Sequence, residues 1–245
     1  MVDTLTARQT QVLKSLIDEY IETAVPVGSE ALEKKYDLGV SPATIRNEML
    51  SLTKMGYLRQ PHTSAGRIPS PKAMKFYIDQ LMEEKQMSIT DEVKAKEEVW
   101  DARGDINSLL KEAAHALSQQ TGSLSVAAID DGHIWHSGYS NVFAHPEFAD
   151  VEVCMNLFGM LEEAQRIGEV FFNRMGGSAP VEVVFGEDLG WEGFSPVSIV
   201  GTTFTVNGQN AALGVIGPTR TSYQTVIPVL RYFGNLVQEI ASPAR

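Results

Sequence analysis

The sequence of 245 residues holds one cysteine, Cys154. An intrachain disulfide and a cysteine-rich zinc site are therefore excluded, and the usage fits a reducing compartment. No run approaches the ~18 uninterrupted apolar residues of a membrane-spanning helix. The opening Met-Val-Asp-Thr-Leu-Thr-Ala-Arg-Gln lacks the apolar core of a signal peptide. A cytoplasmic protein without a membrane partner is expected. Trp100, Trp135 and Trp191 are the only tryptophans and are scattered in sequence, which reads as core or interface placement. Basic residues are also in deficit, 20 Lys and Arg against 31 Asp and Glu, for a net charge of −11. As a whole-chain sum, that deficit disfavours nucleic acid and anionic membranes as partners.

What is present is ordinary for a globular chain, with 43% hydrophobic and 21% charged residues, and the length suits one large domain or two modest ones. The charge is unevenly spread. Residues 1–87 are neutral, with 11 charges of each sign, whereas the remainder holds 9 basic and 20 acidic residues. Within residues 38–77, Arg46, Lys54, Arg59, Arg67, Lys72 and Lys75 face Glu48 alone, a local excess of +5. A basic block inside an acidic chain is a signal that the total conceals.

The residues around that block read as helices. Thr6 and Gln9 form a capping box before Val12, Leu13, Leu16, Ile17, Tyr20 and Ile21, predicting a helix to about Glu22. Pro26-Val27-Gly28 ends it, and Ser29 is expected to cap a short second helix through Tyr36. Ser41 as N-cap with Pro42 at the first position opens a third helix, which stops at Gly56. Its apolar stripe is Ile45, Met49, Leu52 and Met55. At about 100° per residue, Ala43, Asn47 and Lys54 point away from that stripe, flanked by Thr44, Arg46 and Ser51. Hydroxyls, an amide and cations are the groups that read base edges and hold phosphates. Tyr57–Gln60 suits a short strand, Pro61–Arg67 a loop, and Ile68-Pro69 the return strand. Ser70-Pro71 then opens a fourth helix with Met74, Tyr77, Ile78 and Leu81. This order describes a winged helix-turn-helix.

The segments Gly39-Val-Ser-Pro-Ala-Thr-Ile-Arg-Asn47 and Pro61-His-Thr-Ser-Ala-Gly-Arg-Ile-Pro69 resemble the N-terminal signatures of the heat-inducible transcription repressor family, HrcA. Tyr20-Ile-Glu-Thr and Pro26-Val-Gly-Ser29 add a third match. In the C-terminal half, Asn141–Phe148, Met160-Leu-Glu-Glu163 and Gly214–Arg220 resemble signatures of the same family. The resemblance implies a GAF-like C-terminal domain. It also implies binding, as a homodimer, to double-stranded DNA at the inverted-repeat CIRCE operator upstream of chaperone genes, with the GroE chaperonin helping the repressor reach its active form. Two departures stand out. Thr221 and Ser222 precede Tyr223 where the family has Met and Asp. About 20 residues stand where the family carries an inserted dimerising segment, enough for a hairpin and no more. The dimer contact is therefore expected from the 88–120 helical region or the final helix.

The rest of the chain supports a compatible architecture. Residues 88–120 are charged, then helical, with a stripe of Ile106, Leu109, Leu110, Ala113, Ala114 and Leu117. Leu124–Ile129, Asp130-Asp-Gly132 and His133–Ser137 form a predicted hairpin. A single helix is predicted from Ala149 to about Arg174, then strands at Val181–Phe185, Pro196–Val206 and Ala211–Ile216, and a last helix from about Ser222 to Ala241. The fold class expected is α+β: a winged helix-turn-helix over residues 1–82, a helical linker over 83–121, and a GAF-like α+β domain over 122–245.

The candidate DNA-binding residues are Ser41, Thr44, Arg46, Asn47, Ser51 and Lys54 on the third helix. Arg46 and Asn47 are the base readers by type, since Arg pairs bidentately with guanine and Asn with adenine. His62, Thr63, Ser64 and Arg67 form the wing, with Arg67 reaching a minor groove or clamping phosphate. Arg59, Lys72 and Lys75 are phosphate candidates.

No catalytic set, cofactor site or metal site is expected. His133 and His136 fall on opposite faces of a strand, and no nucleophile–base pair accompanies Cys154, His145 or Glu147. Gly217-Pro-Thr-Arg220 reads as a turn with an ordering arginine more readily than as an anion site. Two other functions are weighed. A small-molecule-sensing regulator needs a pocket of ~300 Å³ or more with convergent polar groups in the C-terminal domain. An enzyme with an accessory DNA-binding head needs a catalytic constellation that the sequence does not offer. If the acidic C-terminal region steers the basic face toward DNA and keeps non-specific binding weak, neutralising its carboxylates raises affinity for random duplex. Anisotropy titrations of Asp→Asn and Glu→Gln variants beyond residue 120 check this, and unchanged affinity refutes it.

Overall fold

The computed structural model describes residues 5–177 and 179–241. Two compact units result, Met1–Glu83 and Glu84–Arg245.

In the first unit, α1 (Ala7–Thr23) starts at the expected capping box. The Thr6 N–H donates to Gln9 Oε1 at 3.0 Å, and the Gln9 N–H donates to Thr6 Oγ1 at 3.2 Å. The helix buries Val12, Leu13, Leu16 and Ile17. Gly28, and not Ser29, is the N-cap of α2 (Ser29–Lys35). Val27 is tied by its main chain to Arg67, so the helix begins as soon as the chain leaves that bridge. Lys35 fastens α2 to α1, its Nζ lying 2.7 Å from Glu19 and 2.6 Å from Glu22. Those bonds raise the Lys35 pKa, and burial beside the same cluster pushes Tyr36 up to about 12.

Ser41 caps α3 (Pro42–Lys54) as expected, and Ile45, Met49 and Leu52 are its buried residues. Gly56 takes the left-handed conformation, φ 78°, that ends the helix. The ribbon is shorter than the sequence suggests. β1 (Leu58–Arg59) pairs antiparallel with β2 (Ile68–Pro69), because Gln60 already belongs to the loop. Ser70 caps α4 (Pro71–Phe76), accepting from the Ala73 N–H at 3.2 Å and donating to the Gly56 carbonyl at 2.7 Å. The helix continues as a wider, π-type turn over Tyr77–Leu81, where the Tyr77 hydroxyl donates to Asp18 at 2.6 Å.

The second unit is built on an antiparallel sheet. Its strands are β3 (Leu124–Ile129), β4 (Ile134–Ser137), β5 (Glu182–Phe185), β6 (Val197–Val206) and β7 (Gln209–Pro218), in the order β4-β3-β7-β6-β5. Asn207 and Gly208, at φ 50° and 82°, make the tight turn between β6 and β7. The segment expected as a linker forms α5 (Ile89–Trp100) and α6 (Ile106–Thr121), both within this unit. α6 and the long α11 (Tyr223–Ala241) lie on one face of the sheet. The other face is covered by α8 (Val151–Glu162), α9 (Ala164–Gly168) and a π-type turn over Glu169–Arg174. Two short helices, α7 (Tyr139–Val142) and α10 (Gly186–Leu189), complete the unit. This is the expected fold class, a winged helix-turn-helix followed by an α+β domain.

The single helix predicted over 149–174 is therefore broken, with Glu163 extended at φ −103°, ψ 94°. The break re-aims the chain beyond Glu163 so that Ile167, Val170 and Phe171 all reach the core. Phe171 needs that freedom. Its ring lies over Gly201 and Gly214, which are paired across β6 and β7. A Cβ at Gly214 would run into that ring, and one at Gly201 would sit 2.8 Å from it. Gly214→Ala is accordingly expected to destabilise the chain by about 1–3 kcal/mol through overpacking, measured as a lower thermal midpoint.

Candidate nucleic-acid interface

The exposed face of α3 exists because the opposite face is spent on the core. Ile45, Met49 and Leu52 anchor the helix, leaving Arg46 and Asn47 exposed. Among the described residues neither side chain makes a hydrogen bond or an ion pair. Thr44 is half-buried and takes part in the N-terminal cap, 3.1 Å from the Ser41 hydroxyl. Lys54 is exposed at the last helical position. Glu48, the one carboxylate of the basic block, turns toward Arg8 on α1 at 3.9 Å.

Ser51 does not share this face. It is half-buried, and its hydroxyl accepts from Gln9 Nε2 of α1 at 3.2 Å. Lys72 is likewise committed elsewhere. Its Nζ donates to the Met55 carbonyl at 2.9 Å and sits 4.3 Å from the centre of the Tyr57 ring. A cation there satisfies a free carbonyl at the end of α3 and opposes the negative end of the helix dipole. Arg59 is exposed on β1 and Lys75 on α4.

The wing is shaped by a residue that no pattern in the sequence marks. The Gln60 amide donates to the carbonyls of Thr63, at 2.9 Å, and Ala65, at 3.0 Å, closing the loop from inside. His62, Thr63 and Ser64 are left exposed at its tip. At its base, Val27 and Arg67 exchange main-chain hydrogen bonds of 2.9 and 2.8 Å. Gly66 is required there, since a Cβ would meet the Val27 carbonyl. Arg67 is half-buried, and its Nε donates to Thr53 Oγ1 at 3.2 Å. Between wing and helix lies an open groove of about 440 Å³, walled by Arg46, Met49, Gln60, Thr63, Ser64 and Arg67 among others.

The second unit offers less. Arg220 is held by Glu147, with Nε to Oε1 at 2.5 Å and Nη2 to Oε2 at 3.1 Å, so its guanidinium orders the loop before α11. Burial, then Arg220, lowers the His145 pKa. Cys154 is buried and donates its thiol to the Phe148 carbonyl, and burial pushes its pKa up. His136 contacts Tyr139, and His133 pairs with Asp131 at 2.8 Å. Among the described residues, no three His, Cys, Asp or Glu side chains gather as a metal ion requires, and no helix is long and apolar enough to cross a membrane. Hollows of about 300 Å³ at Thr203, Thr205 and Asn210 and of about 390 Å³ at Lys96 and Trp100 are open, and the polar side chains named for the first are exposed.

Known proteins match both parts of the chain. Residues 4–83 match the family model for the HrcA winged helix-turn-helix DNA-binding domain, and residues 72–227 match that for the HrcA protein C-terminal domain. A heat-inducible transcription repressor HrcA from Carboxydothermus hydrogenoformans is 28% identical over 334 residues, covering 95% of this chain and 97% of the relative. That span exceeds the 245 residues of this chain, so the relative carries sequence without a counterpart here. The HrcA of Acetivibrio thermocellus is 46% identical over 127 residues, 52% of this chain and 36% of that protein. A solved structure described as a hypothetical protein superimposes with a TM-score of 0.74 at 18% identity, covering 97% of this chain and 98% of the other, which is a likeness of fold.

Lys72→Ala separates the two roles open to that lysine. The contact with Met55 leads us to expect a lower thermal midpoint and an unchanged salt dependence of duplex binding. A salt slope reduced by about one unit at an unchanged midpoint would instead identify a phosphate contact.

Proposed function

The chain belongs to the HrcA family of heat-inducible transcription repressors, and from that premise we propose that it binds an inverted-repeat operator of the CIRCE type as a homodimer. The observation that carries this reading is the exposed polar face of α3, with Arg46 and Asn47 unpartnered among the described residues beside the groove that the wing encloses. One such helix reads one half-site, so an inverted repeat calls for two copies related by a two-fold axis. Arg46 and Asn47 read bases, Ser41, Thr44 and Lys54 flank them, and His62, Thr63 and Ser64 meet the neighbouring backbone. Arg59 and Lys75 contact phosphates.

We propose the 88–120 region as the dimer contact. α5 supports this: Ile89, Val93 and Trp100, spaced at i, i+4 and i+11, are 80%, 51% and 44% exposed on one helix. GroE modulation is proposed on family membership. Under this reading, heat occupies the chaperonin with unfolded clients, the repressor loses support and the chaperone genes are expressed. The open hollows of the second unit, with their exposed polar lining, do not favour the ligand-sensing alternative.

Arg46→Ala and Asn47→Ala should each cost about 1–3 kcal/mol on operator duplex and relax base preference at one position. Equal losses on random duplex would reduce them to phosphate contacts. Light scattering at micromolar concentration should report a dimer that Val93→Glu converts to monomer. A monomer bound singly to the full inverted repeat would overturn the dimer. Operator binding across a temperature ramp, with and without chaperonin, tests the modulation.

A further inference from the structure

We infer that Arg67 positions the wing relative to α3 and is not itself a DNA contact. This rests on the DNA-reading role proposed above. Arg67 stands at the base of the wing, one residue before β2, and is held at three points. Its N–H and carbonyl are both bonded to Val27. Its Nε donates to Thr53 Oγ1 at 3.2 Å, and that hydroxyl donates onward to the Met49 carbonyl at 2.7 Å. Thr53 thus uses its acceptor and donor capacities at once. It links the wing base to the main chain of α3, one turn from the helix end.

The side chain is badly placed for the role its charge suggests. An arginine that enters a minor groove must present its guanidinium free of the protein surface. Here the projecting residues are Pro61, His62, Thr63 and Ser64, all exposed, while Arg67 is half-buried with its Nη1 3.5 Å from its neighbour's carbonyl, Gly66 O. The Val27 bridge prevents the base of the wing from sliding, and the Thr53 contact sets its angle to α3. The distance between the bases read from α3 and the backbone met by the wing tip is then fixed before DNA arrives, so less ordering remains to be done on binding.

The test uses the full chain and a duplex carrying the inverted repeat selected from a random pool, titrated between about 50 and 200 mM salt. Thr53→Val removes the hydroxyl and little volume. It is expected to weaken binding about tenfold, with an unchanged salt slope. In a hydroxyl-radical footprint, protection should be lost where the wing lies and retained under α3. Thr53→Ser should restore both. Arg67→Ala should match Thr53→Val in loss and slope, and the double variant should be no worse than either. In the free chain, hydrogen exchange at wing amides 62–65 should quicken in Thr53→Val and not in Thr53→Ser.

Three results would overturn the inference. One is a slope lowered by about one unit in Arg67→Ala with wild-type binding by Thr53→Val, which identifies a phosphate contact. Another is uniform loss of the whole footprint in Thr53→Val, which identifies a general structural role. The third is wing exchange unchanged by Thr53→Val. If the unmodified chain binds no duplex at all, the DNA reading has failed on its own account, and the exchange comparison still decides the anchoring.

Discussion

The wing of the first unit is held at its base by two main-chain hydrogen bonds between Val27 and Arg67. They join the turn after α1 to the base of the wing and leave α2 to begin at the next available residue. Because the bridge lies at the edge of a ribbon only two residues deep, the ribbon alone would hold the loop weakly. A tight approach of one backbone to another demands a residue without a side chain, and Gly66 supplies it. With the Arg67–Thr53 contact added, the wing base is tied to both the turn after α1 and α3.

The second unit solves a comparable problem with an aromatic ring in place of a bridge. Phe171 lies over two paired glycines, so a helical layer can approach β6 and β7 at a point where any larger side chain would hold it off. Arg220 and Glu147, with side chains 11% and 15% exposed, fasten the loop before α11 to the turn that precedes α8. Removing one partner of such a pair leaves a charge with little access to water, which is why buried pairs act as fixtures more than as sources of stability.

Much of this was legible because the signals are local. Thr6, Ser41 and Ser70 announce helix starts through bonds made within three residues, and each is found where the pattern puts it. The stripe Ile45, Met49, Leu52 likewise defines which face of α3 is free. Ser29 misled because its type suits a cap, whereas the cap position was decided by Val27 and its distant partner Arg67. The break at Glu163 answers to the sheet beneath it and leaves no trace in the spacing of apolar residues. Residues 83–121 read as a helical linker; the stripe from Ile106 to Leu117 marked α6, whereas the charged composition of α5 gave no sign that both helices lie within the second unit. At the interface, residue type identified cations and hydroxyls but not their partners. Ser51 with Gln9, Lys72 with Met55 and Arg67 with Thr53 are separated by 42, 17 and 14 residues, and nothing in a single sequence encodes such pairings.

The amide of Gln60 carries a further consequence. Surface loops usually tolerate an added or missing residue, since closing a slightly longer loop costs little. This loop is different, because one side chain of fixed reach bonds to carbonyls three and five residues ahead. A residue added or removed between Gln60 and Thr63 shifts both acceptors, and one between Thr63 and Ala65 shifts the second. The wing therefore behaves as a gauge: its span is set by the length of a glutamine, and substitution within it is freer than insertion.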